Sequence, residues 1–194
     1  MPGIGGNATY IAAATEADVD RFVTSTNMKV GGYTIANSGT QPTGGARKVT
    51  LTHTSGDTTD TLGTVALVGT DIDGVAQSET LTPSADAAVT STNFYLTVTS
   101  ATGASWVIDG VESTNDTLTI GCAAEAACHV GSGVLRRIIV GETAAGAITI
   151  ADSTGTLAVL KSSIVEGVYD FDLEFSGFLT VTVAAASKLT VVTA

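Results

Sequence analysis

The stretch that decides the fold runs from Ala46 to Pro83 and reads ARKVTLTHTSGDTTDTLGTVALVGTDIDGVAQSETLTP. Three runs rich in Val, Thr and Leu are separated by two turn clusters, Ser55-Gly56-Asp57 and Asp71-Ile72-Asp73-Gly74. In an extended chain Val49, Leu51 and His53 share one face, and Thr50, Thr52 and Thr54 the other. This period of two, carried by β-branched residues, predicts antiparallel strands. Leu67 to Val75 reads as a hairpin, because Asp-Gly supplies the positive φ that a tight turn needs.

The same idiom extends outward. Strands are expected at 31–36, 47–54, 62–70, 75–81, 94–98, 105–108 and 117–120, with one helical turn after Thr82-Pro83 reaching Val89. Seven strands at this spacing make a sandwich or barrel over residues 30–123. The single tryptophan, Trp106, is expected to anchor its core. Residues 124–132, entered through the Cys-Ala-Ala-Glu-Ala-Ala-Cys run of Cys122–Cys128, read as a linker. Six more strands are expected at 134–140, 147–151, 157–160, 168–173, 179–183 and 189–192, forming a small β-domain over 133–194. Residues 1–29 read as an extended N-terminal arm. Within it Thr15-Glu16-Ala17-Asp18 looks like a capped helix start running to Val23, and Tyr10, Ile11, Phe22 and Val23 are apolar groups that could dock on a neighbour. The fold class is therefore all-β: two small antiparallel sandwich- or barrel-like domains behind an arm.

Hydrophobic residues make up 44% of the 194 but aromatic residues only 5%, so the cores must be built from Val, Leu, Ile and Ala. The formal net charge is −11. Between Val49 and Leu135 there are ten Asp or Glu residues and no Lys or Arg, a distribution that repels phosphate and argues against a nucleic-acid partner. The arginines sit at Arg21, at Arg47 beside Lys48, and at Arg136-Arg137. Such basic pairs read as strand starts flanking solvent, or as contacts to a partner. The N-terminus has neither a basic segment nor a continuous apolar core, so no secretory signal is expected. No window approaches 18 apolar residues, so no transmembrane helix and no membrane association are expected.

Candidate chemistry is sparse. His53 near Asp57 and Asp60 lacks a nucleophile elbow and alternates onto the apolar face, which predicts a packed histidine rather than a catalytic one. Asp71-x-Asp73-Gly74 with Glu79 has some of the oxygens of a calcium loop, but the same residues make a hairpin turn. Cys122, Cys128 and His129 fall short of a zinc set, and free thiols are expected. No catalytic residue, metal or cofactor is assigned.

Several of these segments resemble a β-rich module of the virion structural proteins of tailed bacteriophages. In that family an R-x-V-T-x-T strand leads to a G-T-V-x-x-x-G-T-D-x-x-G hairpin and an S-E-T-L-T return strand. Here they fall at Arg47–Thr52, Gly63–Gly74 and Ser78–Thr82, and V-T-S-A-T-G-A-S-W follows at Val98–Trp106. The resemblance covers about residues 30–121, and residues 133–194 are similar to small head or tail modules less specifically. It implies a non-enzymatic structural protein. The expected role is a capsid decoration (cement) protein, made in the host cytoplasm and bound to the major capsid protein on the head exterior, as a homo-oligomer and most simply a trimer. Tail or head-tail junction placement and a carbohydrate-binding adhesion module are the alternatives. Arg136 and Arg137, beside apolar Val134, Leu135, Ile138 and Val140, are expected to meet a neighbouring subunit's acidic domain.

Overall fold

The computed structural model describes residues 7–12, 17–42, 45–56, 60–107, 115–142, 145–183 and 187–194. The fold is all-β. In chain order the strands are β1 (Asn7–Ala12), β2 (Asp18–Asn27), β3 (Gly31–Gly32), β4 (Ala46–Thr54), β5 (Thr64–Thr70), β6 (Ala76–Leu81), β7 (Ala88–Tyr95) and β8 (Thr97–Ala104). They continue as β9 (Thr117–Val130), β10 (Gly133–Glu142), β11 (Ile148–Asp152), β12 (Gly155–Leu160), β13 (Gly167–Phe175), β14 (Phe178–Val183) and β15 (Lys188–Thr193). The chain divides into two units, one holding β2 to β8 and β9 up to Ala123, the other β1, the rest of β9 and β10 to β15.

The first unit is a sandwich in which the paired strands β9, β4 and β7, with β2 paired to β9, face the four-stranded sheet β3-β8-β5-β6. Alternation does what the sequence predicts. Val49, Leu51 and His53 of β4 point inward and are buried, as are Val65 and Leu67 of β5. They meet Phe22, Val98, Leu118 and Ile120 in one core. Each such aliphatic side chain contributes roughly 1.5–3 kcal/mol by leaving water. The β5–β6 hairpin forms as expected. Gly74 adopts φ +79°, and its N–H donates to Asp71 O at 3.1 Å.

Four local expectations in this unit are corrected. The strand expected over 31–36 reduces to the two residues of β3. Instead of a helical turn after Pro83, Ser84 and Ala87 bridge across a tight turn and β7 starts at once. The expected single strand over 94–98 is the junction of β7 and β8, broken at Leu96, whose N–H donates to Thr70 O at 2.7 Å. The strand expected over 105–108 reduces to one bridge, Thr61 to Val107, with Ile108 outside the described residues. Ser105 has φ +59°, which ends β8 and turns Trp106 into the core. There its indole N–H donates to Thr64 O at 3.2 Å.

The second unit is also a sandwich, with sheets β1-β15-β10-β13 and β12-β11-β14-β9. All six strands expected over 134–192 are present. Leu135, Ile138, Ile148, Ile150, Leu179, Val181, Leu189 and Val191 fill its core.

The arm and the linker are corrected. Residues 7–12 pair with β15, Tyr10 opposite Thr190 and Ile11 opposite Leu189. Residues 18–27 are strand, not helix, and pair with β9. Val19, Val23, Thr24 and Thr26 are β-branched, and a strand buries Phe22 and Val23 together with the rest of the core. Thr15 and Glu16, the expected cap, lie outside the described residues. Likewise 124–130 is the second half of β9, with Ala126, Ala127 and Cys128 buried. Gly45 passes close to this half: a Cβ on it would lie 2.7 Å from Ala127 O and 3.3 Å from the Ala126 Cβ. The domain boundaries expected at 29/30, 123/124 and 132/133 thus give way to two interleaved units, of which only the break after Ala123 coincides.

Candidate functional site

The sequence-selected chemistry is engaged in holding loops and strands. His53 is buried on β4, and its Nε2 lies 2.8 Å from Asp116 Oδ2 while the Asp86 N–H donates to its Nδ1 at 3.1 Å. A ring that accepts at Nδ1 carries its proton on Nε2, so the tautomer is fixed by two separate loops. Asp116 Oδ1 also accepts from Gly56 N–H at 2.6 Å. The group ties the segment before β9 to the ends of β4 and the Ser84–Ala87 turn. Asp116 is a partner that the sequence did not single out; it is sixty-three positions away, and no spacing rule in the sequence points to it. Asp60 lines the same small cavity, and Asp57 lies outside the described residues.

The calcium-like acids act as turn acceptors. Asp71 Oδ1 accepts from Asp73 N–H at 3.0 Å and from Val75 N–H at 2.8 Å. Glu79 accepts from Thr92 N–H at 2.7 Å and Asn93 N–H at 3.1 Å, fastening β6 to β7. Asp152 does the same in the second unit, where Thr154 and Ser176 donate to it from backbone and hydroxyl. Those donors, Thr154's hydroxyl first, hold its carboxyl down to a pKa of about 2. Among the described residues no three His, Cys, Asp or Glu side chains are grouped to hold a metal ion.

Cys122 and Cys128 are free thiols in different cores. Burial pushes the Cys122 thiol up, against a backbone hydrogen bond from Asp18 and the positive charge of Arg47. Burial pushes Cys128 up to about 12. His129 packs edge-on against the Phe175 ring at 5.3 Å. Arg47, expected to flank solvent, is instead only 2% exposed. Burial lowers its pKa, partly offset by Cys122 beside it. Lys48 is half-buried, its Nζ 5.1 Å from the centre of the Phe94 ring.

Of the residues expected to bind a partner, Phe22 and Val23 are withdrawn by the structure: they are core groups of their own chain, 0% and 4% exposed. Tyr10 and Ile11 have backbones fixed in β1, and their side chains lie outside the described residues. Arg136 and Arg137 are brought together on the surface. Strict alternation would send them to opposite faces, but a register shift between Leu135 and Arg137 lets Leu135 and Ile138 both point inward. Both arginines therefore stay exposed, and each finds an acid on the neighbouring strand of its own sheet. Arg136 pairs with Asp172, and Arg137 with Asp170 at 3.2 Å. The sequence expected their charge to be met by a neighbouring subunit; β13 meets it first.

That strand completes the most distinctive surface of the second unit. On β13, Tyr169, Phe171 and Leu173 lean half-buried on the core, while Asp170, Asp172 and Glu174 alternate outward. The alternating acids were legible in the sequence, but the arginines opposite them were not. Among the described residues no helix is long and apolar enough to cross a membrane. Comparison of the chain with family models, with curated proteins and with solved structures finds no match.

Proposed function

We propose that the protein is a non-enzymatic structural component of a tailed-bacteriophage virion, a capsid decoration protein that binds the major capsid protein on the head exterior. The observation that carries this reading is how the chain uses its polar chemistry. His53, Asp116, Asp71, Glu79 and Asp152 each hold a turn or fasten two strands. The shaped surface is instead the row of charge on β10 and β13. Two sandwiches with separate cores suit a protein that works by adding contact area over a shell, since area and multivalency, not a deep pocket, strengthen such attachment. The resemblance of Arg47–Thr52, Gly63–Gly74 and Ser78–Thr82 to virion modules supports the same reading. The excess of acid suits the outside of a shell better than the side facing DNA. Closed symmetry makes a trimer the simplest form for a three-fold position.

The test is to add purified protein to heads that lack it and image the particles by cryo-electron microscopy, with light scattering on the free protein. Ordered density at fixed sites on the outer shell supports the reading. Density confined to the tail or the connector moves the protein there, and saturable binding to a glycan array with none to particles replaces the reading by an adhesion module.

A further inference from the structure

β13 ends its sheet. The order is β1-β15-β10-β13, and among the described residues β13 is bonded to β10 alone. Its other edge, nine residues or about 30 Å of extended chain, presents backbone N–H and C=O groups without a strand partner. Several other edge strands among the described residues are short, irregular or fastened by side chains. β3 is two residues long, and β2 pairs through two register shifts. β6 is fastened by Gln77, whose amide donates to Phe94 O, and by Glu79. β13 has no proline and alternates strictly from Tyr169 to Glu174.

The two rows of this edge differ in chemistry. The inner row, Tyr169, Phe171 and Leu173, is packed on the core but only partly covered, and Leu157 of β12 lines one shallow cavity with Glu174 and Phe175. The outer row is acidic. Asp170 and Asp172 remain 72% and 81% exposed although each meets an arginine on the β10 side. From these observations we propose that β13 is a strand-addition site. It takes up an extended segment of a partner protein whose side chains alternate apolar and basic. The backbone supplies attachment, the half-covered inner row takes the apolar residues, and the carboxylates take the lysines or arginines.

Charge selects this occupant over a second copy of the chain. Two β13 strands paired antiparallel about residue 170, 171 or 172, with their apolar rows aligned, set carboxylates opposite carboxylates. Like charges directly opposite destabilise a sheet. The inference goes beyond the virion reading, because it stands on one sheet edge whatever particle the protein joins. Within that reading it names what the major capsid protein would present.

The test uses the full chain and synthetic capped nine-residue peptides, read by isotope-edited NMR and calorimetry. A peptide alternating valine and lysine is expected to shift the amide resonances of 167–175. It should bind about tenfold more tightly than one alternating valine and glutamate, the size expected of two or three exposed ion pairs. N-methylating every amide of the valine–lysine peptide removes the N–H groups that pairing with β13 requires. The fully methylated peptide should not bind. The variant Asp170→Lys/Asp172→Lys should reverse the charge preference. Undiminished binding of the fully N-methylated peptide, shifts outside 167–175, no binding of the unmethylated peptide up to about 1 mM, or concentration-dependent self-association through β13 would each overturn the proposal. A protein that binds the peptide but no particle would leave this inference standing and remove the virion reading.

Discussion

Phe22 separates the two accounts of the N-terminal region. As an arm residue waiting for a partner it could be truncated at little cost to the isolated protein. In the structure it is 0% exposed and shares a core with Leu118, Ile120 and Trp106. Phe22→Ala should therefore cost about 3–5 kcal/mol, the usual range for a fully buried phenylalanine. With a urea slope near 2 kcal/mol per molar, the unfolding midpoint should fall by roughly 1.5–2.5 M. Against the about 5–15 kcal/mol of a domain of ordinary stability, that cost is a large fraction. The readout is built in: Trp106 is the single tryptophan and lies in this core, so its fluorescence follows the first unit and not the second. Fluorescence-monitored urea unfolding of wild type and variant is the assay. A midpoint shift below about 0.3 M would refute the placement of Phe22 and restore the docking arm.

Three further outcomes are expected. The Asp152 carboxyl is held at about 2, so its hydrogen bonds stabilise the fold fully above the ordinary carboxyl pKa near 3.9 and cease to do so as pH falls through about 2. Asp152→Asn should then be less stable than wild type at pH 5–7 by circular dichroism, with the difference closing towards pH 2; a pH-independent difference would show that charge plays no part. Cys128, pushed up to about 12, has a thiolate fraction of roughly 10⁻⁴ at pH 8, so iodoacetamide should label native protein only as fast as it opens, and labelling of Cys128 within minutes in native buffer would contradict its burial. Arg136→Ala and Asp172→Ala should each cost no more than about 1 kcal/mol, with a coupling of similar size in a double-mutant cycle, because both side chains are exposed; a coupling of 3 kcal/mol or more by urea unfolding would mean the pair is buried.

By itself the sequence determined the fold class and most of the strands. Val49, Leu51 and His53 alternate, and so do Leu179, Val181 and Val183, because a strand with one face in a core must write that period into its residues. It also determined the Asp71–Gly74 hairpin, since positive φ at Gly74 is a local requirement. Tertiary structure alone decided the rest. Asp18–Asn27 follows the helix-like start at Thr15–Asp18, and Ala124–Val130 has the small residues of a linker, yet both are strands because β9 pairs with one and continues through the other. Propensity is weak enough for packing to override it. The Asp116 partner of His53 and the Asp170 and Asp172 partners of the arginines lie 63, 33 and 36 positions away. No periodicity records such pairings, because they depend on strand order and on one register shift in β10. That β13 is an edge is likewise a property of the sheet, invisible in its nine residues, since an edge is defined by the neighbour a strand does not have.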